Sequence, residues 1–317
     1  MTPALTQADR AALRARLGQA LPPAWRTRFA PAPTGQLHLG HAVNAVYVWS
    51  IARAFGGSVI VRIEDHDERR SRAVYDASIR ADLAWLGLEG DNAALAHPVV
   101  LRQSDTPDLY AADLARLAAT GAHVYPCRCS RRDIAAHTDH HREPYYPGTC
   151  RRAAVLPEDT AARRLQLGDD LITFTDLRHG VQTQQPSAQC GDLLLKDRLS
   201  QWTYQFAVVA DDLRQGVNVI IRGDDLLDST GRQFMLGEAL GRRLPPQVLH
   251  HPLIMHPDGT KLSKSRGDRG LAELRAAGWD AARVLGYAAW LGGLQDQPQP
   301  VPADSLGHLW NHPAISR

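Results

Sequence analysis

Residues 29–67 constrain the fold of this chain more than any other stretch. They open with FAPAPTGQLHLGHA (29–42), where Pro31 and Pro33 stiffen the backbone and His38 and His41 flank Gly40. The pattern is neither a helical stripe nor a strand alternation, so it reads as a loop that delivers two imidazoles to a helix start. HAVNAVYVWSIARAF follows as that helix, with Val43, Val46, Tyr47, Ile51 and Ala54 at helical spacing. Ser58–Ile63 then reads as a buried strand, with Glu64, Asp65 and Asp67 at its carboxyl end. A strand, a glycine-containing turn, a helix and a second strand make a βαβ unit and imply a parallel sheet. Ligands in such sheets bind at the carboxyl ends of the strands.

Helical patterning continues over 74–90, ending at Gly87 or Gly90, and over 104–121, with Pro107 in the first turn and Gly121 past the end. From about residue 122 the periodicity stops, and 151–190 carries only short strand-like runs such as LITFTDL. Regular α/β texture returns with DLLLKDRLSQWTYQFAVVADDL and VNVIIRGDDLL. The expected organisation is an N-terminal helical extension over 1–24, capped by Thr6 and stopped before Pro22–Pro23. A nucleotide-binding fold follows in two halves, 25–105 and 191–250, split by an insertion over 106–190. A mobile loop and helical C-terminal region occupy 251–317.

Composition narrows the class. The 317 residues are 44% hydrophobic and 22% charged, as in ordinary soluble domains. A net charge of +2 is too small to imply a nucleic-acid partner by itself. No apolar stretch approaches the roughly 20 residues of a membrane span, so no membrane is expected. The charged N-terminus is not a signal peptide. Four cysteines are too few for a disulfide scaffold and point to a reducing cytoplasm.

Two loops carry the candidate chemistry. Helix N-termini attract anions, and His38 and His41 at such a terminus suit a phosphate, with Gly40 allowing close approach of a nucleotide. TKLSKSRG (260–267) places Lys261 and Lys264, with Ser263 and Ser265, just past an Asp258–Gly259 turn. Lysine binds phosphate as a point charge, and a flexible loop can close over a substrate. Taken separately, a structural histidine pair and a solvated basic loop remain alternatives.

In combination they are specific. H-x-G-H after the first strand and K-x-S-K-S after the last is the double signature of class I aminoacyl-tRNA synthetases. RFAPAPTGQLHLGH, IVRIEDHD, WTYQFAVVADD and VIIRGDDLLDSTGRQ closely resemble the catalytic core of glutamyl-tRNA synthetases. Within that group the short glutamyl-Q tRNA(Asp) synthetase family matches best, over about residues 26–290. The resemblance implies a Rossmann-type α/β catalytic domain carrying an inserted zinc domain. It also implies ATP with Mg²⁺, attack of the glutamate carboxylate on the α-phosphate, and expulsion of pyrophosphate. Catalysis is then positioning plus stabilisation of charge on phosphate oxygens. His38, His41 and Lys264 are the expected catalytic residues, and His38, Gly40, His41, Lys261 and Lys264 the expected ATP contacts.

L-glutamate needs cations for two carboxylates and an anion for its ammonium. Arg28 and Arg222 can each clamp a carboxylate bidentately, Glu64 suits the ammonium, and Tyr204 can donate its hydroxyl. By resemblance these four, with Phe29, Ala30, Pro31 and Ala32, form the glutamate site. Internal ion pairs Arg28–Glu64 or Arg222–Asp224 are the alternative. Many relatives carry serine at the Ala32 position, so one substrate hydrogen bond worth about 1 kcal/mol is expected to be missing.

Cys127, Cys129 and Cys150 lie within 24 residues of aperiodic sequence. Three thiolates in such a stretch suit one structural tetrahedral Zn²⁺, against the alternative of small buried hydrophobes. Chemistry alone favours a histidine as fourth ligand, from His137, His140 or His141. The family's C-x-C…Y-x3-C pattern implies Tyr146 instead.

The acceptor is the remaining question. Only 52 residues follow Ser265, whereas a separate anticodon-binding domain ordinarily needs about 100 or more. The family's short members attach glutamate to queuosine at the wobble position of tRNA(Asp), so the anticodon loop is expected in the site, served by a monomer. Arg128, Arg131, Arg132, Arg151 and Arg152 can meet RNA backbone. Alternatives are a truncated or non-discriminating glutamyl-tRNA synthetase charging the 3′ end, a non-catalytic RNA-binding paralogue, and a small nucleotidyltransferase sharing the H-x-G-H loop.

Overall fold

A computed structural model describes residues 5–92, 101–135, 144–153, 161–254 and 270–311. Helix α1 (Gln7–Ala20) opens with a capping box in which Thr6 and Asp9 satisfy each other's backbone N–H groups, and it stops at Leu21 before the two prolines. Strand β1 (Arg26–Phe29), helix α2 (Leu39–Phe55) and strand β2 (Ser58–Ile63) make the expected βαβ unit. The strands pair in parallel from Arg26↔Ser58 to Phe29↔Val61.

Helix α2 starts at Leu39, two residues earlier than its apolar spacing suggests, because His38 is its N-cap. It is buried nearly all round, not on one stripe: Ala42, Val43 and all of Ala45–Ala52 are buried. The C-terminal region covers the side that a one-faced helix would leave wet. Tyr47 donates to the Gly292 carbonyl at 2.7 Å, and the Trp310 indole donates to Ser50 at 2.9 Å. Gly56, in the left-handed region at φ +68°, ends the helix and turns the chain into β2.

Helix α3 (Ala73–Leu86) ends at left-handed Gly87, and the short strand β3 (Leu101–Arg102) adds to β2 in parallel. Helix α4 (Pro107–Ala119) begins on its proline. Next come strand β4 (Val124–Cys127), helix α5 (Arg131–Ala135), strands β5 (Ala162–Leu165), β6 (Ile172–Asp176) and β7 (Gly180–Gln184), helix α6 (Pro186–Cys190) and strand β8 (Leu193–Lys196). β4, β5 and β8 form an antiparallel sheet in the order β4-β5-β8.

Helix α7 (Tyr204–Arg214), strand β9 (Val219–Gly223), helix α8 (Thr230–Ala239) and strand β10 (Gln247–His251) return to α/β order. β9 and β10 pair in parallel, and β6 joins β10 through Val248↔Asp176, giving the order β7-β6-β10-β9. Thus a hairpin from the 106–190 range extends the parallel sheet, while β8, just beyond that range, completes the antiparallel one. The two parallel sheets meet where the Asn218 N–H donates to the Arg26 carbonyl at 3.1 Å and the Arg26 N–H donates to Asn218 Oδ1 at 2.8 Å. Helices α9 (Leu271–Ala276) and α10 (Ala281–Leu291) and a 3-10 stretch (Ala303–Trp310) close the core over α2. Among the described residues, no helix is long and apolar enough to cross a membrane.

Candidate active site and metal centre

A cavity of about 240 Å³ lies at the carboxyl ends of β1, β2 and β9, against the start of α2. Arg28, Phe29, Ala30, Pro31, His38, Gly40, His41, Glu64, Tyr204 and Arg222 all line it. Ala32, half-buried one residue further on, is not among the lining residues.

The histidines answer to the helix first. His38 Nδ1 accepts from the Gly40 N–H at 3.0 Å, and His41 Nδ1 accepts from the His38 N–H at 3.2 Å. With each Nδ1 used as an acceptor, each neutral ring carries its proton on Nε2. The rings stand 4.0 Å apart between centroids. Gly40 is required by closeness: a Cβ there would lie 2.8 Å from the His38 ring.

The two pocket arginines are held differently. Arg28 donates from Nε to the Asp212 carboxylate at 3.2–3.3 Å and from Nη1 to the Ile221 carbonyl. Asp212 also accepts from Arg62 at 2.9 Å, and Arg62 reaches Glu64 at 2.8 Å. All four side chains are buried. Burial opposes the Asp212 charge, but Arg28 and Arg62 outweigh it and hold its pKa low. Burial likewise opposes the Arg62 charge, and Asp212, Glu64 and Asp211 reverse the balance. Arg222, 4% exposed, has neutral partners: His250 at 2.9 Å, Gln233 at 2.6 Å, Thr230 at 2.9 Å and the Leu226 carbonyl at 3.2 Å. Among the described residues no carboxylate lies within ion-pair distance of it. Burial and the nearby Arg28 charge lower its pKa. Neither alternative ion pair forms: Glu64 pairs with Arg62, and Asp224 engages Arg178 and His179.

Tyr204 is the first residue of α7, behind the Thr203 N-cap, and burial raises its pKa. It also lines a second, larger cleft of about 1060 Å³ that runs past Arg69, Arg70, Arg131, Arg164, Arg198 and Trp202 to Cys129. Of the five arginines expected to meet RNA, Arg131 lines this cleft, whereas Arg151 is held on Asp192 at 2.7–2.9 Å.

Cys129 lines that cleft, and Cys127, Cys129 and Cys150 bring their sulfurs within 4.8 Å of one another. Cys129 and Cys150 are 3.6 Å apart, close to the ~3.8 Å edge of a tetrahedron with Zn–S bonds of about 2.3 Å. The Tyr146 hydroxyl lies 3.3 Å from Cys127 and 4.0 Å from Cys129, and the Cys150 N–H donates to it at 2.8 Å. Burial, with the Cys150 and Cys127 sulfurs beside it, pushes the Cys129 thiol up to about 12. Thiols packed this closely fit a cation that would draw out their protons. His137, His140 and His141 lie outside the described residues, as do Lys261, Ser263, Lys264 and Ser265.

Sequence reasoning missed the residues that seat the arginines. Arg62 and Asp212 lie in IVRIEDHD and WTYQFAVVADD, far apart in the chain, whereas Thr230 and Gln233 share VIIRGDDLLDSTGRQ with Arg222 but at no spacing that marks them as its partners. His250, Asn44 and His251 carried no sequence signal. His251 accepts from Asn44 at 3.0 Å and stacks on Tyr47, and burial lowers its pKa to about 4.

A parallel-sheet fold with this pocket at its strand ends is a synthetase catalytic domain of class I. The family model described as tRNA synthetases class I (E and Q), catalytic domain, matches residues 24–288, and the chain belongs to that family of ligases. Its relatives include two proteins named Glutamyl-Q tRNA(Asp) synthetase. The one from Symbiobacterium thermophilum is 45% identical over 92% of this chain and 93% of its own. The one from Deinococcus radiodurans is 40% identical over 89% and 95%. A crystal structure of a glutamate tRNA ligase from Elizabethkingia meningosepticum, in complex with its amino acid, superposes with a TM-score of 0.73 at 26% identity. That match covers 89% of this chain and 64% of the ligase, so this chain spans less than two thirds of the ligase's length.

Proposed function

We propose that this protein activates L-glutamate with ATP to glutamyl-adenylate, without tRNA, and transfers the glutamyl group to queuosine at the wobble position of tRNA(Asp). The observation that carries the first half is Arg222. A buried guanidinium whose partners among the described residues are all neutral, facing a pocket shared with Arg28 and Glu64, is built to receive a carboxylate. Arg28 can take the second carboxylate while Asp212 holds it in place, and Glu64 can accept the ammonium. His38 and His41 would offer Nε2–H groups to the ATP phosphates at the start of α2, with Lys261 and Lys264 closing from their loop. Mg²⁺ would accompany the ATP phosphates, and one structural Zn²⁺ would sit among Cys127, Cys129, Cys150 and Tyr146 in an inserted domain.

The second half follows the names of the relatives and is supported by the cleft that shares Tyr204 with the pocket. That cleft is rich in arginine and carries Trp202, as a route for RNA beside an activated carboxylate should. The nucleophile would be a ring hydroxyl of queuosine attacking the glutamyl carbonyl and releasing AMP.

The test is glutamate-dependent ATP–pyrophosphate exchange without tRNA, followed by transfer of labelled glutamate to tRNA pools with and without queuosine. Exchange proceeding equally with glutamine or aspartate would refute the pocket reading. Nuclease mapping that placed the label on a 3′-terminal adenosine would refute the acceptor and favour a glutamyl-tRNA synthetase.

A further inference from the structure

Arg222 is reached by a chain of groups that the proposed chemistry does not use. Asp176 and His250 are both fully buried. Asp176 Oδ1 accepts the Arg178 and His179 N–H groups at 2.9 and 2.8 Å, while Oδ2 accepts the His250 N–H at 3.0 Å and lies 2.8 Å from His250 Nδ1. Four donors on one carboxylate keep it ionised, despite burial. Its acceptor-only character makes His250 Nδ1 the protonated nitrogen, so Nε2 presents a lone pair to the Arg222 Nε–H at 2.9 Å. Thr230 and Gln233 take the other end of the guanidinium.

We infer that Asp176 and His250 are positioning residues for the glutamate pocket: the pair fixes the imidazole tautomer that seats Arg222 while keeping the carboxylate one ring away from it. A carboxylate in direct contact with Arg222 would offset its charge and take up donors that the substrate needs. A neutral acceptor orients it and leaves its charge available. The hairpin β6–β7 therefore has a task in the pocket, since Asp176 is the residue by which β6 pairs with β10. This inference rests on the glutamate reading of the pocket.

The test compares His250→Ala, His250→Gln and Asp176→Asn with the unaltered chain by ATP–pyrophosphate exchange, with thermal melting to check folding. A glutamine can accept from Arg222 and donate to Asp176, so His250→Gln should hold the glutamate KM within about threefold. Loss of a hydrogen bond to a charged group predicts a 10- to 100-fold rise in glutamate KM for His250→Ala and about tenfold for Asp176→Asn, with the ATP KM unchanged. If His250→Ala fails to fold, the contrast between His250→Gln and Asp176→Asn decides. Equal rises in both KM values, or a glutamine variant no better than the other two, would overturn the positioning role alone. No glutamate-dependent exchange in the unaltered chain would overturn the glutamate reading and this inference with it.

Discussion

The pocket at the strand ends and the cysteine cluster both touch the larger cleft, through Tyr204 and Cys129, and are built by different means. The pocket is assembled over long sequence distances: Arg28 from β1 meets Asp212 from α7, and Arg222 from β9 meets His250 from β10. Its charges are seated by other side chains, so the protein supplies the arrangement itself. The cluster draws its three sulfurs from one short stretch, and they lie within 4.8 Å of one another. One region is held by its own side chains, while the other could hold a metal ion. Removing a group should therefore have separable consequences in the two places.

The largest effect is expected at the cluster. Apparent binding free energies for structural zinc reach about 10 kcal/mol or more. Purified protein should contain one zinc per chain, and Cys127→Ser should lose it. Exchange with glutamate should stay within about tenfold if the pocket is independent. Elemental analysis run beside the exchange assay reads both, and unchanged zinc in Cys127→Ser would break the comparison at its weaker end.

Next comes the pocket. His41→Ala, and Lys264→Ala from the loop outside the described residues, should each lower exchange by about 100-fold or more, the scale for losing one partner of developing charge. Zinc content should not change. A parallel loss of zinc would mean that the two regions fold as one unit.

Acid gives a smaller effect, about 2 kcal/mol by pH 5. His251 in the folded pocket stays neutral down to about pH 4, whereas in the unfolded chain it protonates near its ordinary value of 6.5. Between those values the unfolded chain binds a proton that the folded one refuses, so stability falls as pH drops from 6.5 towards 4. Above 6.5 the contribution is complete. One unrequited proton corresponds to about 1.4 kcal/mol per pH unit. Urea unfolding at pH 7 and pH 5 should show this loss in the unaltered protein and less of it in His251→Gln.

The mildest change sharpens the metal end. Tyr146→Phe should weaken zinc binding by about tenfold, as read by chelator competition. Full affinity in that variant would hand the fourth position to His137, His140 or His141.

The same contrast explains what the sequence could and could not disclose. Local features were legible: the Ser58–Ile63 strand, the Thr6 cap, Pro107 at a helix start, and the spacing of three cysteines that the fold brings together. Arg28, Glu64, Tyr204 and Arg222 were legible through resemblance, and they do line one cavity. The alternative ion pairs do not form, because Arg28 finds Asp212 in a helix far along the chain, Glu64 finds Arg62 on its own strand, and Asp224 finds Arg178 and His179. The early start of α2 was missed because apolar spacing marks where a helix is buried, not where it is capped. Burial of α2 on all sides depended on the C-terminal segment, which no pattern in α2 could announce.

The cap at the start of α2 bears on how such a chain would drift. His38 and His41 close the backbone of the helix through Nδ1, whatever their Nε2 atoms do for a nucleotide. A duplicated gene released from catalysis would still lose two cap bonds by giving up both rings without a capping replacement. Asparagine is the replacement that caps a helix while giving up the imidazole. An intact H-x-G-H stretch therefore records selection on the helix as well as on the reaction, and persistence of the motif in a lineage does not by itself show that the lineage kept its enzyme.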